Sequence, residues 1–392
     1  MDKRVYLLTI VSFVVGVVEL IIGGILDIIA IDLGVSIGAA GLLITVFSIV
    51  FALSAPILLV VTAKIERKKL TLISITVFLV GIVVAVFSTT YTMLMISRII
   101  TAASGSLLVL LSLTLASNIV QERYRARAIG VVFMGISASL VLGVPVGLML
   151  GNAFGWRAPF VLIMGLTVIA MLGVYMFMEP IKPKPPIPLR VQLRTLKDRK
   201  ILMAQCASFL FLTGHLTLYA YLTPFLKTIV GLSGTWVSIA YLLFGFAAVA
   251  GGGIGGVIAD RFGSKPAIIG IITAFGITIF VIPYTTVSLP LFLVVMIVWG
   301  MLSWSITPAM QSYLIEAAPE SSDIQQGLNN SALHLGIACG SSIGAIVIER
   351  ASVEYNATVG GLFIILSLGA TFLSMKKVKK ENTAFIKQNT SA

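Results

Sequence analysis

Two charged side chains, Glu19 and Arg98, stand deep inside long apolar runs of this chain. A charge at the centre of a membrane helix costs at least about 2.5–3.5 kcal/mol, so each needs a partner or a task. A carboxylate held between the penalty of burial and the pull of a guanidinium can take up and release a proton. The chemistry on offer is therefore proton exchange at Glu19, with Arg98 tuning it or holding a substrate. A static buried ion pair is the competing reading. In the second half, uncharged polar and aromatic groups recur at helical spacing. Trp304, Thr307 and Gln311 fall at i, i+3 and i+7, and Gln326, Asn330 and His334 at i, i+4 and i+8. His215 and Tyr219 fall at i and i+4, with Tyr221 close by. Each set occupies one helix face, and in lipid such faces turn inward. Aromatic planes with amide donors and acceptors suit a flat heteroaromatic such as a purine, and a sugar almost as well. The plain alternative at each position is an interhelical hydrogen bond. These sets contain no acidic cluster to attract a cation, and Arg98 is the lone basic group, so a neutral or weakly ionised solute fits best.

The elements that position these residues are membrane helices. Of 392 residues, 58% are hydrophobic and 11% charged, with mean hydropathy +1.08. A soluble chain of this length carries about a quarter charged residues, so the bilayer is the solvent here. The apolar runs suit helices crossing about 30 Å rather than the short alternating strands of a barrel. Twelve spans are expected, near 5–26, 38–62, 70–89, 93–118, 129–151, 158–178, 201–226, 234–258, 267–284, 288–314, 325–348 and 357–375. The Pro-rich, then basic, segment 179–200 divides them. The expected organisation is a six-helix bundle over 1–178, a linker, a second six-helix bundle over 201–375 and a tail over 376–392. The first apolar run reads as a span rather than a cleaved signal.

The net charge of +12 is not a nucleic-acid signature, because the basic residues sit in short loops. On the side of the termini and linker lie 23 Lys and Arg; only Arg157, Lys227 and Arg350 lie on the other. That bias puts both termini and the linker in the cytoplasm. Residues 189–200 alternate apolar and basic groups, suiting either a membrane-surface segment or a solvated tether. Cys206 and Cys339 lie in apolar runs and read as small hydrophobes. The two histidines are far apart in sequence and lack companion ligands, so no metal is expected. The sequons at Asn356 and Asn389 read as chance.

One loop carries a specific pattern, Gly256-x-x-x-Asp260-Arg261-x-Gly263-x-Lys265. A small residue permits close helix approach, Asp260 can cap a helix or pair with a base, and Gly263 permits the turn. Val60 to Lys69 occupies the same place after the second span, with Ala63 for the acid and Glu66 for a glycine. That departure leaves the first-half copy without its acid unless Glu66 substitutes. The fifth span carries Gly130, Gly135, Gly143, Pro145, Gly147 and Gly151, and the fourth carries Ser97-Arg98 with Gly105.

The loop pattern resembles the signature of the major facilitator superfamily. The fifth- and fourth-span patterns are similar to the glycine–proline and embedded-arginine motifs of its twelve-span drug:proton antiporters, ordinary close packing being the alternative for the glycines. Over nearly the full length the chain resembles bacterial purine base/nucleoside efflux pumps. The stretches that carry this are Val18–Gly24, Thr62–Lys68, Tyr124–Gly130, Gly214–Tyr221, Trp299–Ser305, Gln311–Glu316 and Asn329–Leu333. The resemblance implies an all-α fold of two six-helix pseudo-repeats with the substrate between them and access alternating by rocking. It implies that Glu19 and Arg98 line the amino-terminal side of the cavity. It also implies that Asp260, Arg261, Gly263, Gly143, Pro145 and Gly147 serve the conformational change. The partners expected are a small solute, protons and lipid, in a monomer driven by the proton motive force with no cofactor. Related efflux pumps carry sugars or drugs. No enzyme constellation and no phosphate-cradling loop is present, whereas a non-transporting sensor on the same fold, or import rather than export, would leave the same sequence.

Overall fold

Each long apolar run folds into a helix, since only a helix pairs every backbone polar group within its own segment. The computed structural model describes residues 3–121, 125–182 and 189–376, and contains no strand among them. Among the described residues, twelve helices are long and apolar enough to cross a membrane. They are Lys3–Leu33, Ile37–Leu58, Arg67–Val86, Tyr91–Ala116, Ala128–Phe154, Ala158–Phe177, Arg199–Thr228, Thr235–Phe262, Ser264–Val287, Leu289–Ala317, Ile324–Arg350 and Tyr355–Met375. They are named below by order, first to twelfth span. Polar caps set several starts: Ser36 accepts from the Ala39 amide and Thr90 from the Met93 amide.

With twelve spans alternating in direction, the chain ends and the linker gather at one end of the bundle, the proximal end. Arg4 at the start of the first span pairs with Glu179 after the sixth, and Ser374 donates to the carbonyl of Lys200. Of the linker, a short helix Leu189–Arg194 and a 3-10 turn Thr195–Lys197 are described. The Pro-rich stretch 183–188 and the tail from 377, with Asn389, lie outside the described residues, as do basic loop residue Arg123 and the side chains of Arg125 and Arg127.

Packing repeats between the first six spans and the last six. The first span packs on the fourth, fifth and sixth, and the third on the fourth and sixth; the seventh packs on the eleventh and twelfth, and the ninth on the tenth and twelfth. Across the two sets the second span meets the eleventh, the fifth meets the eighth, and the first meets the seventh. The second and third spans are thus related to the eighth and ninth by the same pairings.

Two spans are broken at corresponding depths. In the first, Ile25 leaves helical geometry (φ −108°, ψ 16°). In the seventh, the helix ends at Tyr219 and restarts at Leu222, with Tyr221 at φ −114°, ψ 23°. The fifth span contains a π-helical turn, Ser139–Gly143, just before Pro145. Proline cannot donate to the carbonyl four residues back, and the extra residue of a π turn absorbs that mismatch.

The first helix runs past the expected end at 26 to Leu33, so Asp27 and Asp32 stand on it. Glu19 and Arg98 are therefore not the only charges on the spans. Asp27 pairs with Lys227, which lies in the last turn of the seventh span rather than in a loop, and Asp32 pairs with Arg157 at 2.8 Å.

Candidate functional site

The site is built where the first span faces the eleventh. Glu19 points across that seam, and its Oε1 lies 3.6 Å from Nδ1 of His334. The side chains are 18% and 9% exposed. The His334 ring stacks on Phe51 of the second span at 4.2 Å between centroids, and Ser331 donates to the carbonyl of Ala52 one turn nearer the proximal end. A carboxylate from the first six spans and an imidazole from the last six thus share one contact, which sequence spacing alone does not reveal.

Arg98 is fully buried; two of its nitrogens donate to backbone, while Nη2 is buried without a hydrogen-bond partner among the described residues. Its Nη1 donates to the carbonyl of Val18 at 2.7 Å and its Nε to that of Leu43 at 3.4 Å. The guanidinium lies over the Phe47 ring at 4.0 Å, a cation–π contact. Arg98 therefore grips the backbone next to Glu19 and ties the fourth span to the first and second, while the Glu19 carboxylate lies against His334. No direct hydrogen bond joins Glu19 to Arg98, although the two buried charges lie near enough to feel each other.

His215 and Tyr219 belong to a buried aromatic cluster among the last six spans. His215 stacks on Tyr219 (5.2 Å between centroids) and meets Trp299 (5.4 Å) and Phe275 (5.6 Å) edge-on. Phe244 packs against Tyr219 and Trp299, and Tyr241 reaches Tyr219 from the eighth span. Nδ1 of His215, Oη of Tyr219 and Nε1 of Trp299 are buried without a hydrogen-bond partner among the described residues. Each such atom carries a penalty of about 1–3 kcal/mol. Trp299 and Phe244 were missed by sequence reasoning because single aromatics on an apolar helix carry no periodic signal.

The remaining expected residues are placed differently. The Tyr221 hydroxyl donates to the carbonyl of Ser341 at 2.8 Å, a structural tie at the helix break. Trp304, Thr307 and Gln311 on the tenth span are each partly buried, and Trp304 packs against the core. Gln326 is partly buried and Asn330 exposed on the turns proximal to His334. Their neighbours Gln325 and Asn329 point the other way and form a buried network that spacing did not single out. Asn329 donates to Gln205 at 2.9 Å and to Ser208 at 2.8 Å, and Gln205 donates to the carbonyl of Gln325.

The glycines of the fifth span act through packing. A Cβ on Gly143 would strike Val17, one on Gly147 would strike Ile21, and one on Gly151 would strike Ile25. The glycine face is thus a groove filled by a ridge of the first span at four-residue intervals, with Pro145 buried between. In the loop after the eighth span, Gly263 takes φ +88°, the left-handed geometry that glycine tolerates. Asp260 and Arg261 are exposed on the last helical turn, the Arg261 guanidinium lying 5.5 Å from the centroid of the Phe262 ring. Ser264, not Asp260, reaches the tenth span, donating to Glu316 at 2.8 Å. In the first-half loop, Glu66 caps the third span by accepting from the amides of Lys68 and Lys69, and it also accepts from Ile181 at 2.7 Å. Burial works to raise the Glu66 pKa, but the amides of Ile181, Lys69 and Lys68 and the Lys68 charge prevail and hold it below the ordinary value. Glu66 is a cap and a clip onto the chain after the sixth span, so in this geometry it does not replace the missing gate acid. Asn356 is fully buried, in keeping with a chance sequon.

Away from the termini the two sets of spans are closed against each other. Thr45 bonds Ser341 at 2.8 Å and Ser342 at 3.1 Å, Ser36 bonds Glu349, and Asp27 pairs with Lys227. A Cβ on Gly245 of the eighth span would meet the backbone of Leu140 and Val141 in the fifth.

Relatives share this plan over nearly their whole length. An MFS-type transporter of Bacillus subtilis (strain 168), YbcL, is 36% identical over 98% of this chain and 99% of its own. A probable sugar efflux transporter of Helicobacter pylori (strain G27) is 26% identical over 93% of each. Among solved structures, a bacterial homologue of the human lysosomal transporter Spinster, in an inward-facing and occupied conformation, superposes with TM-score 0.77 at 15% identity, over 95% of this chain and 96% of that one. The sequence model of the Major Facilitator Superfamily matches residues 8–341. With twelve spans packed as two like sets of six, and a charged contact between them, this chain belongs to the Major Facilitator Superfamily and is a multi-pass membrane transporter, not an enzyme.

Proposed function

We propose that this transporter exports a small neutral organic solute in exchange for protons, and that its preferred substrates are purine bases or nucleosides. The observation that carries the reading is the Glu19–His334 contact at 3.6 Å across the seam between the two sets of spans. A proton arriving on Glu19 changes an interaction that both sets feel, so its binding biases which end of the seam is open. Arg98, anchored on the carbonyls of Val18 and Leu43, holds the first span in register beside the acid. The partnerless donors and acceptors of His215, Tyr219 and Trp299 sit among ring faces, the combination that recognises a flat heteroaromatic. Trp304, Thr307, Gln311, Gln326 and Asn330 extend that polar surface toward the proximal end, with Tyr221 bracing it. Asp260, Arg261 and Gly263, with Gly143, Pro145 and Gly147, serve the rocking of the two six-helix bundles, 1–178 and 201–375. Both termini, the linker and the tail face the cytoplasm of the bacterial plasma membrane, as the positive-inside bias requires. The closed distal end then faces outward. A monomer suffices, since two sets of six spans already enclose a path.

A sugar is the second reading, and the relative named as a probable sugar efflux transporter favours it. Proteoliposomes loaded with a pH-sensitive dye separate the two. Hypoxanthine, adenosine, an aldose and chloramphenicol are added singly under an imposed proton gradient, with Glu19→Gln alongside. Proton movement with the purines alone, lost in the variant, is the expected result. Movement with the sugar or the drug instead replaces the substrate. Silence with folded, ligand-binding protein removes proton coupling and leaves a facilitator or a sensor.

A further inference from the structure

The breaks in the first and seventh spans meet each other. Thr223, one residue into the restarted seventh helix, lies 3.0 Å from the carbonyls of both Gly23 and Gly24. Tyr241 of the eighth span reaches the Gly23 carbonyl at 3.2 Å, and its hydroxyl is 3.0 Å from that of Thr223. Both side chains are fully buried. The non-helical residue Ile25 falls between these carbonyls and the amides four residues on that a continuous helix would offer them. In a bilayer, where no water reaches it, a carbonyl at a helix break is steadied by any further donor that reaches it. Two hydroxyls from the opposite set of spans do so. A hydroxyl suits a reversible contact, because water can take over the same acceptor once the distal end opens.

We propose that the Thr223–Tyr241 hydroxyl pair is the latch of the distal gate, positioning residues that hold the first span to the seventh and eighth and release when that end opens. The pair also joins the gate to the candidate site. The Tyr241 ring meets Tyr219 edge-on at 6.2 Å, Tyr219 stacks on His215, and Gly23 lies one helical turn from Glu19 on the same face. Movement of the aromatic cluster therefore reaches the hinge of the first span through one ring. The inference rests on alternating access and not on the identity of the substrate or the use of protons.

Spin labels on exposed residues at the distal ends of the two sets test it. Ile31→Cys on the first span (81% exposed) and Trp236→Cys on the eighth (59% exposed) are placed in a Cys206→Ser, Cys339→Ser background, and the distance distribution is read by pulsed electron resonance. Tyr241→Phe and Thr223→Val are each expected to raise the ratio of long to short distances about tenfold, with Thr223→Ser remaining like the parent. If Tyr241→Phe does not yield folded protein, the Thr223→Val and Thr223→Ser comparison decides alone. Distributions unchanged in folded Thr223→Val, or shifted equally by Thr223→Ser, would overturn the latch.

Discussion

Glu19→Gln separates a working acid from a structural one, and the geometry sets the size of the difference. Were Glu19 and Arg98 a buried ion pair, losing one member would cost about 3–5 kcal/mol. Arg98 instead gives its Nη1 and Nε to the carbonyls of Val18 and Leu43 and rests on Phe47. Removing the charge of Glu19 leaves those contacts in place. Its own contact with His334 is long at 3.6 Å and is replaceable by an amide of the same shape. The expected cost of Glu19→Gln is therefore about 1 kcal/mol or less, whereas Arg98→Ala forfeits two hydrogen bonds and a cation–π contact and costs about 3–5 kcal/mol. For a chain of this length 1 kcal/mol moves the melting temperature by about 2 °C. Purified protein in detergent should melt within about 2 °C of the parent for Glu19→Gln and at least about 5 °C lower for Arg98→Ala. In liposomes, Glu19→Gln should abolish substrate-dependent proton movement. Glu19→Gln melting as low as Arg98→Ala, or moving protons like the parent, would refute the reasoning.

Reversing Asp27 and Lys227 singly, to Lys and Asp, should lower distal closure in the same spin-label assay, and the double reversal should restore it, with a coupling of about 1 kcal/mol for a pair only partly buried. Gly251→Ala should cost about 2–3 kcal/mol in melting experiments, since its Cβ meets the rigid Met301 backbone, while Gly147→Ala, whose Cβ meets the side chains of Ile21 and Pro159 rather than backbone, should cost less, about 1 kcal/mol. Glu66 titrates below its ordinary value in the folded chain, so its contribution to stability is present above the unfolded value near 4.5 and is lost as pH falls through the depressed one. Melting curves between pH 6 and pH 3 should show a steeper loss in the parent than in Glu66→Gln. Asn329→Ala, which removes donors to Gln205 and Ser208, should lower the melting temperature without altering substrate selectivity in the dye assay.

Periodicity and charge were enough to find the spans, because an apolar run of about 20 residues has no other stable form in lipid. They were enough to mark Glu19, Arg98 and His334, because polar groups inside such runs are costly. What they did not contain was rotation about each helix axis. Gln326 and Asn330 fit the same spacing as Gln325 and Asn329, yet it is the latter pair that is buried against the seventh span. The first helix outran its hydropathy signal, since Asp27 and Asp32 find Lys227 and Arg157 only in three dimensions. The glycines of the fifth span were legible as small residues, but which ridge fills them depends on the facing helix.

The internal repeat gives the asymmetry of the site a basis. Gly256 follows Val60 by 196 positions, half of the 392, and the break at Tyr221 follows the break at Ile25 by the same interval. Applied to Glu19, that interval lands on His215. The two residues thus occupy one position of a shared plan, two turns before the break in each set's leading helix. In the first set the position holds a carboxylate and faces the seam toward His334. In the second it holds an imidazole packed among Tyr219, Phe275 and Trp299. One copy holds an acid, the other a ring with a plane and a polar edge. Because both precede a hinge, on the proposed function a proton on one and a ring against the other would act on the same kind of joint. Two like hinges, latched to each other at Thr223, can then be released by different ligands.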